Sequence, residues 1–286
     1  MTTPQLEQGQ HTFEVGGLTV AYEVRGHGPV CVVHSGGPGV RSNYLRMPEI
    51  ERFATMVYID PVGTGSSSRL SDGNYSMGRY AQVAHQLIEG ALGGKAYFLG
   101  HSHGGFVGLQ LALDHPDDLL GLVVYGGAPL WSPEAMAEAA VRMSAFVGRF
   151  PEDEDARGAE AAFLEEDPYD DAETFLRWLR RLLPAYFADP RNESIDLQQI
   201  SQDLAIDFDP RRQPAEWDVR DRLKEIGVPT LVLVGRYDWI CGPRWAALIW
   251  QEVESATLVP FDRSGHYIHL EEPELFASSL RQFLTC

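Results

Sequence analysis

The 286-residue sequence predicts an α/β fold, a mostly parallel twisted sheet flanked by helices, with a helical segment inserted in its second half. Three observations carry that prediction. Short continuous apolar runs, such as PVCVVHS at 29 to 35 and ATMVYID at 54 to 60, read as strands buried on both faces. They alternate with longer stretches of helical character, the spacing of strand–helix–strand units. Glycine-rich and polar residues collect just after the runs, at the carboxyl ends of the strands, where open α/β sheets gather their chemistry.

Taken in order, residues 11 to 25 alternate in polarity about Gly16 and Gly17, which predicts an antiparallel hairpin at a sheet edge. The strand at 29 to 35 ends in Gly36-Gly37-Pro38-Gly39, and the next ends in Pro61-Val62-Gly63-Thr64-Gly65-Ser66. Residues 76 to 92 look helical. A short strand at 96 to 99 then runs through GHSHGG into a helical segment at 106 to 113, which His115-Pro116 ends. LLGLVVYGG at 119 to 127 is another buried strand. Residues 131 to 216 break the rhythm with helical stretches and acidic loops, 20 Asp and Glu against 9 Arg. They are expected to form a helical cap, or lid, inserted over the sheet edge, with residues 1 to 130 and 217 to 286 as the core domain. Alternation resumes with strands at 228 to 238 and 256 to 261, and a last helix starts near Glu271-Glu272-Pro273.

Composition narrows the classes. A formal charge of -18 argues against binding nucleic acid or an anionic membrane surface. The first 15 residues carry no basic segment followed by an apolar one, and no apolar run approaches the roughly 20 residues of a membrane span. Cys31, Cys241 and Cys286 cannot all pair and lack metal-ligand spacing, so free thiols in a cytoplasmic compartment are expected.

The chemistry centres on Ser102. A serine hydroxyl becomes a useful nucleophile when a tight strand-to-helix turn lifts it beside a base and next to backbone donors, and glycines two before and two after it keep that turn free of collisions. His103, at the start of the helix, would offer its N–H to an oxyanion, and the Gly37 N–H, in the loop after an earlier strand, would be the second donor. The base must come from far along the chain. His266, in the loop after the last strand, fits that role; Asp238, directly after the preceding strand, would orient it; Asp262, four residues before His266, is a more local competitor.

The set GGPG at 36 to 39, DPVGTGSS at 60 to 67, GHSHGG at 100 to 105, GRYDWICGP at 235 to 243 and SGHYIHLEEP at 264 to 273 resembles the α/β-hydrolase superfamily, and within it proline iminopeptidases and related serine peptidases. Two departures stand out: Ser35 occupies a position that is usually histidine in that group, and Asp60-Pro61-Val62-Gly63 lacks its usual Gln and Arg. No cofactor is expected, and no metal either, since no paired His and carboxylate spacing of ligand type appears. The resemblance agrees with a Ser102–His266–Asp238 triad and an acyl-enzyme. It further implies cap carboxylates that bind a free amine, for which Asp207, Glu165 and Glu166 are the candidates. The expected substrate is a small molecule or short peptide losing its N-terminal residue. The runner-up reading keeps the same triad for an esterase, lactonase, thioesterase or amide hydrolase of small-molecule (specialised) metabolism.

Overall fold

The structure, a computed structural model, describes residues 6–165, 171–207, 209–212 and 215–285. Eight strands form one sheet: β1 (Gly9–Val15), β2 (Leu18–Gly26), β3 (Val30–His34), β4 (Thr55–Ile59), β5 (Ala96–His101), β6 (Leu119–Tyr125), β9 (Thr230–Gly235) and β10 (Ala256–Phe261). Their order is β1-β2-β4-β3-β5-β6-β9-β10. The expected hairpin is β1 with β2, turning at Gly16-Gly17 and pairing Val15 with Leu18. β2 meets β4 antiparallel, and every later neighbour is parallel.

The continuous apolar runs are explained by two cores, one on each face. In β3, Val30 and Val32 face one cluster and Cys31 and Val33 the other; β6 divides Leu122 and Val124 from Val123 and Tyr125 in the same way. Successive side chains point to opposite faces, so a strand covered on both sides must be apolar throughout. The first face is covered by α2 (Met77–Ala91), α3 (His103–Asp114) and α8 (Pro243–Glu252), the second by α1 (Pro48–Glu51) and the last helix, Pro273–Leu284. Helix α2 shows why such segments fold as they do. The Ser76 side chain caps it by accepting from Arg79 N–H, and Tyr80, Ala81, Val83, Ala84, Leu87 and Ile88 form one buried stripe. Each large apolar side chain so buried contributes about 1.5–3 kcal/mol.

The irregular segment is helical: α4 (Pro133–Arg149), α5 (Glu154–Leu164), α6 (Ala172–Leu182) and α7 (Leu197–Asp203), with a 3-10 turn at Leu183–Tyr186. Its base holds a feature the sequence did not disclose. β7 (Leu130–Trp131) and β8 (Trp217–Asp218) pair antiparallel where the segment leaves and rejoins the sheet. Two-residue strands have too few side chains for periodicity to register. The segment packs about its own apolar cluster, which also takes in Val40, Trp239 and Tyr267 from loops at the carboxyl ends of the strands.

Candidate active site

Ser102 sits in the turn from β5 to α3 with φ 54° and ψ -118°, and among the described residues it is the sole non-glycine with positive φ. An L-residue tolerates that conformation only where surrounding structure enforces it. Here its N–H donates to Tyr125 O at 2.9 Å, extending the β5–β6 ladder, and its carbonyl accepts from Gly105 N–H at 2.8 Å. The hydroxyl makes no capping bond to the helix. A Cβ at Gly100 would collide with the Gly104 carbonyl, and one at Gly104 with the His34 carbonyl, so both flanking glycines are sterically required.

His266 and Asp238 converge as expected. His266 Nδ1 lies 2.7 Å from Asp238 Oδ2, and both side chains are buried. The other carboxylate oxygen, Oδ1, accepts from the N–H groups of Ile240 and Cys241 at 3.0 and 2.9 Å. Asp238 is therefore fully occupied, and it fixes the imidazole with Nδ1 protonated and Nε2 free to act as a base. Asp262, the competing acid, is exposed and faces Arg236.

The loop carrying His266 is fastened by the two glutamates that follow it. Glu271 accepts from Gly265 N–H at 2.6 Å and from Ala188 N–H at 2.7 Å, tying the loop to the helical segment. Glu272 accepts from Arg263 N–H at 2.9 Å and Ser264 Oγ–H at 2.7 Å. His266 N–H itself donates to Tyr186 O at 2.7 Å. Arg142 of α4 holds the partner loop, donating from Nε to Asp238 O at 2.6 Å and from a terminal nitrogen to Arg236 O at 2.7 Å.

A relay behind the site was not visible in the sequence. Gly36 N–H donates to Tyr44 Oη at 2.8 Å, Tyr44 Oη lies 2.6 Å from His101 Nδ1, and His101 Nε2 lies 3.2 Å from His266 O. Burial holds the His101 imidazole well below its usual pKa. A neutral ring with its proton on Nε2 satisfies every bond in the chain. The sequence placed His101 beside Ser102 but contained no sign that Tyr44, 57 residues away, would meet it. His269 packs beneath, 2.6 Å from Tyr125 Oη and 3.1 Å from Tyr44 O, and its pKa is lowered to about 4 by burial.

Ser102, His266, Gly37 and His103 line one cavity of about 270 Å³. A Cβ at Gly36 would come within 3.1 Å of Ser102 Cβ, so the loop after β3 passes directly over the serine. Among the described residues, the hydroxyl makes no hydrogen bond to the imidazole; such bonds commonly tighten only when substrate is bound. Most of the remaining wall is aromatic or aliphatic, including Phe106, Trp131, Trp178, Tyr186 and Trp239. Cys241 also lines it, but burial raises its thiol pKa well above the ordinary value and keeps it protonated.

The expected amine-binding carboxylates are placed otherwise. Asp207 accepts from Arg41 Nε and Nη2 at 2.7 and 2.9 Å and from Gly65 N–H at 2.8 Å, and it does not line the cavity. Glu165 is exposed and paired with both terminal nitrogens of Arg181. Glu166 lies outside the described residues. Among the described residues, the carboxylate that lines the cavity is Glu216, which is exposed.

Away from the cavity, His85, His115 and Asp118 bring three possible metal-ligand atoms within 4.8 Å of one another. The two imidazoles are stacked, 3.9 Å apart and only 4° from parallel, so no ion could lie in both ring planes at once. His85 Nδ1 instead meets Asp118 Oδ2 at 2.7 Å, a simple His–Asp pair.

Comparison with known proteins agrees with this architecture. A proline iminopeptidase of Saccharolobus solfataricus is 25% identical over 92% of this chain and 87% of its own. A 2-hydroxymuconate semialdehyde hydrolase of a Pseudomonas species is 27% identical over 99% and 97%. An enol-lactonase structure from Burkholderia xenovorans superposes with a TM-score of 0.73 at 21% identity, covering 96% of this chain and all of that one. The α/β-hydrolase fold family model matches residues 29–273, from the strand before the first glycine loop to the start of the last helix, and the chain belongs to that family.

Proposed function

We propose that the protein is a serine hydrolase that cleaves a small, mainly apolar ester or lactone. Ser102 Oγ attacks the carbonyl carbon as its proton passes to His266 Nε2. The Gly37 and His103 amides hold the oxyanion, each contributing about 10²–10³ in rate. His266 returns the proton to the leaving oxygen as the carbon–oxygen bond breaks. Water, deprotonated by the same imidazole, then releases the acyl group and restores the serine. Asp238 keeps the ring oriented and steadies the imidazolium, while α4 to α7 act as a cap that shields the reaction from solvent.

The observation that carries the substrate reading is the lining of the cavity. At about 270 Å³ it falls just under the roughly 300–1,000 Å³ of drug-sized ligand sites, and it is walled by aromatic rings. Asp207 and Glu165 are neutralised by arginines. A cationic N-terminus would find little there to replace its hydration. The aminopeptidase reading has one structural support, Glu216 on the wall, together with the proline iminopeptidase relatives.

The test is a matched panel of 4-nitrophenyl esters and aminoacyl-4-nitroanilides, with fluorophosphonate labelling as the check on Ser102. Ester turnover and labelling, both lost in Ser102→Ala, with the anilides untouched, is the expected result. Faster cleavage of proline or alanine anilides would overturn the ester reading, and absence of labelling would overturn the serine mechanism itself.

A further inference from the structure

One wall of the cavity is neither apolar nor acidic. Arg212 lines it, stacked over the Tyr75 ring at 4.6 Å, and its terminal nitrogens donate to the carbonyls of Asp207 and Gly63, both at 3.0 Å. Among the described residues no carboxylate pairs with this guanidinium, in a chain that has 41 acidic residues to 23 basic ones. Beside it stand His103, also lining the cavity and only 5% exposed, and Tyr80, 3% exposed, their rings edge to face at 5.0 Å. Among the described residues, three buried polar atoms here, Arg212 Nε, His103 Nδ1 and Tyr80 Oη, have no well-aligned hydrogen-bond partner. Tyr80 Oη and the Arg212 guanidinium lie beside each other as a poorly aligned hydrogen-bonded pair, which leaves His103 Nδ1 as the atom with nothing facing it.

Buried polar groups are nearly always partnered, and leaving His103 Nδ1 unpaired beside a poorly aligned Arg212–Tyr80 contact is costly unless a bound group completes them. Burial, with the nearby His34 and Arg212, holds His103 well below its usual pKa, so the wall presents one fixed positive charge beside a neutral imidazole. A fork of guanidinium N–H donors beside neutral donors matches the oxygens of a carboxylate.

We propose that this wall is a subsite for a carboxylate on the acyl part of the substrate, with Arg212 supplying the charge and His103 donating from Nδ1. The inference rests on the serine hydrolase reading of the same cavity and names its substrate class: a small acid that also carries an ester or lactone. The protein's overall charge of -18 repels such a substrate at long range, so any preference for it must come from this local cation.

The experiment compares kcat/KM for the 4-nitrophenyl half-esters of adipic and suberic acid with that for 4-nitrophenyl hexanoate and octanoate. Wild type is expected to favour the half-ester at least tenfold at one chain length. Arg212→Gln should lower that ratio tenfold or more, chiefly through KM, and Arg212→Lys should keep part of it. A wild-type ratio of one or below at both lengths, or a ratio that Arg212→Gln leaves alone, overturns the proposal. Should Arg212→Gln fail to fold, the wild-type ratio and Arg212→Lys decide. Calorimetric titration of Ser102→Ala protein with adipate reads the subsite without turnover. Arg212-dependent adipate binding with no ester hydrolysed in wild type would sink the hydrolase reading and leave the subsite standing. Ester hydrolysis with no adipate binding would do the reverse.

Discussion

Asp238 and Asp207 were both expected to serve the site, one as the acid behind the histidine and one as a partner for substrate, and the structure holds them in opposite ways. Asp238 is fully buried; two backbone N–H groups satisfy one oxygen, leaving the other for His266. Asp207 is partly exposed, and Arg41 takes both of its oxygens. The role of a carboxylate is thus set by what neutralises it. Backbone donors in its own loop occupy one oxygen of Asp238 and leave the other for His266, whereas a guanidinium leaves Asp207 with nothing to offer a substrate.

The largest effect that would sharpen this contrast is Asp238→Asn. The amide can no longer favour the Nδ1-protonated ring, and kcat on an ester substrate should fall by about 10⁴ with fluorophosphonate labelling slowed in proportion. A loss under tenfold would mean that the acid comes from elsewhere.

Next in size is Arg142→Ala, which removes the side chain that grips the backbone of the Asp238 loop from α4. A shift of about 1 Å in catalytic geometry costs on the order of 10² in rate. The expected result is therefore a kcat lowered ten- to hundredfold with KM little altered, and Arg142→Lys should recover part of it. Equal changes in kcat and KM would instead point to a collapsed cavity.

Glu271 offers a pH test of the loop that carries His266. Burial pushes its carboxyl up to about 7 from the usual 4.5, against the pull of the two amides it accepts from. The unfolded chain therefore releases this proton before the folded one does. The favourable contribution is complete below pH 4.5 and is lost as pH rises through about 7. Glu271→Gln should flatten the fall in melting temperature between pH 5 and pH 8, a difference on the order of 2 kcal/mol. An unchanged slope would remove Glu271 as its source.

The smallest effect belongs to Asp207. Asp207→Asn should leave ester turnover within about threefold of wild type and cost roughly 1 kcal/mol or less in stability, as a half-exposed ion pair does. A large loss of activity would return Asp207 to the substrate site.

Much of the framework was legible because it is written in local terms. Period-two burial on both faces forces unbroken apolar runs, and each such run became a strand of the sheet. The turn at Ser102 was legible for the same reason. Gly100 and Gly104 are demanded by backbone carbonyls that any side chain would strike, so the constraint shows directly in residue type. In the sequence Glu271 and Glu272 stand only as part of a motif, and the tertiary structure gives it a physical meaning, a clamp on the loop of His266. The β7–β8 pair at the base of the helical segment was too short to leave a pattern.

What the sequence by itself determined is the sheet, the strained serine turn, and the positions after β9 and β10 from which an acid and a histidine reach the same rim, because sterics and periodicity act over a few residues. What only the tertiary structure decided is the character of the pocket. Whether Asp207 is free or taken, whether Tyr44 meets His101, and whether Arg212 is held against the cavity by Gly63 all depend on pairings across 57 to 166 residues. Such pairings are fixed by how the helical segment and the loops pack together, and no local spacing encodes them.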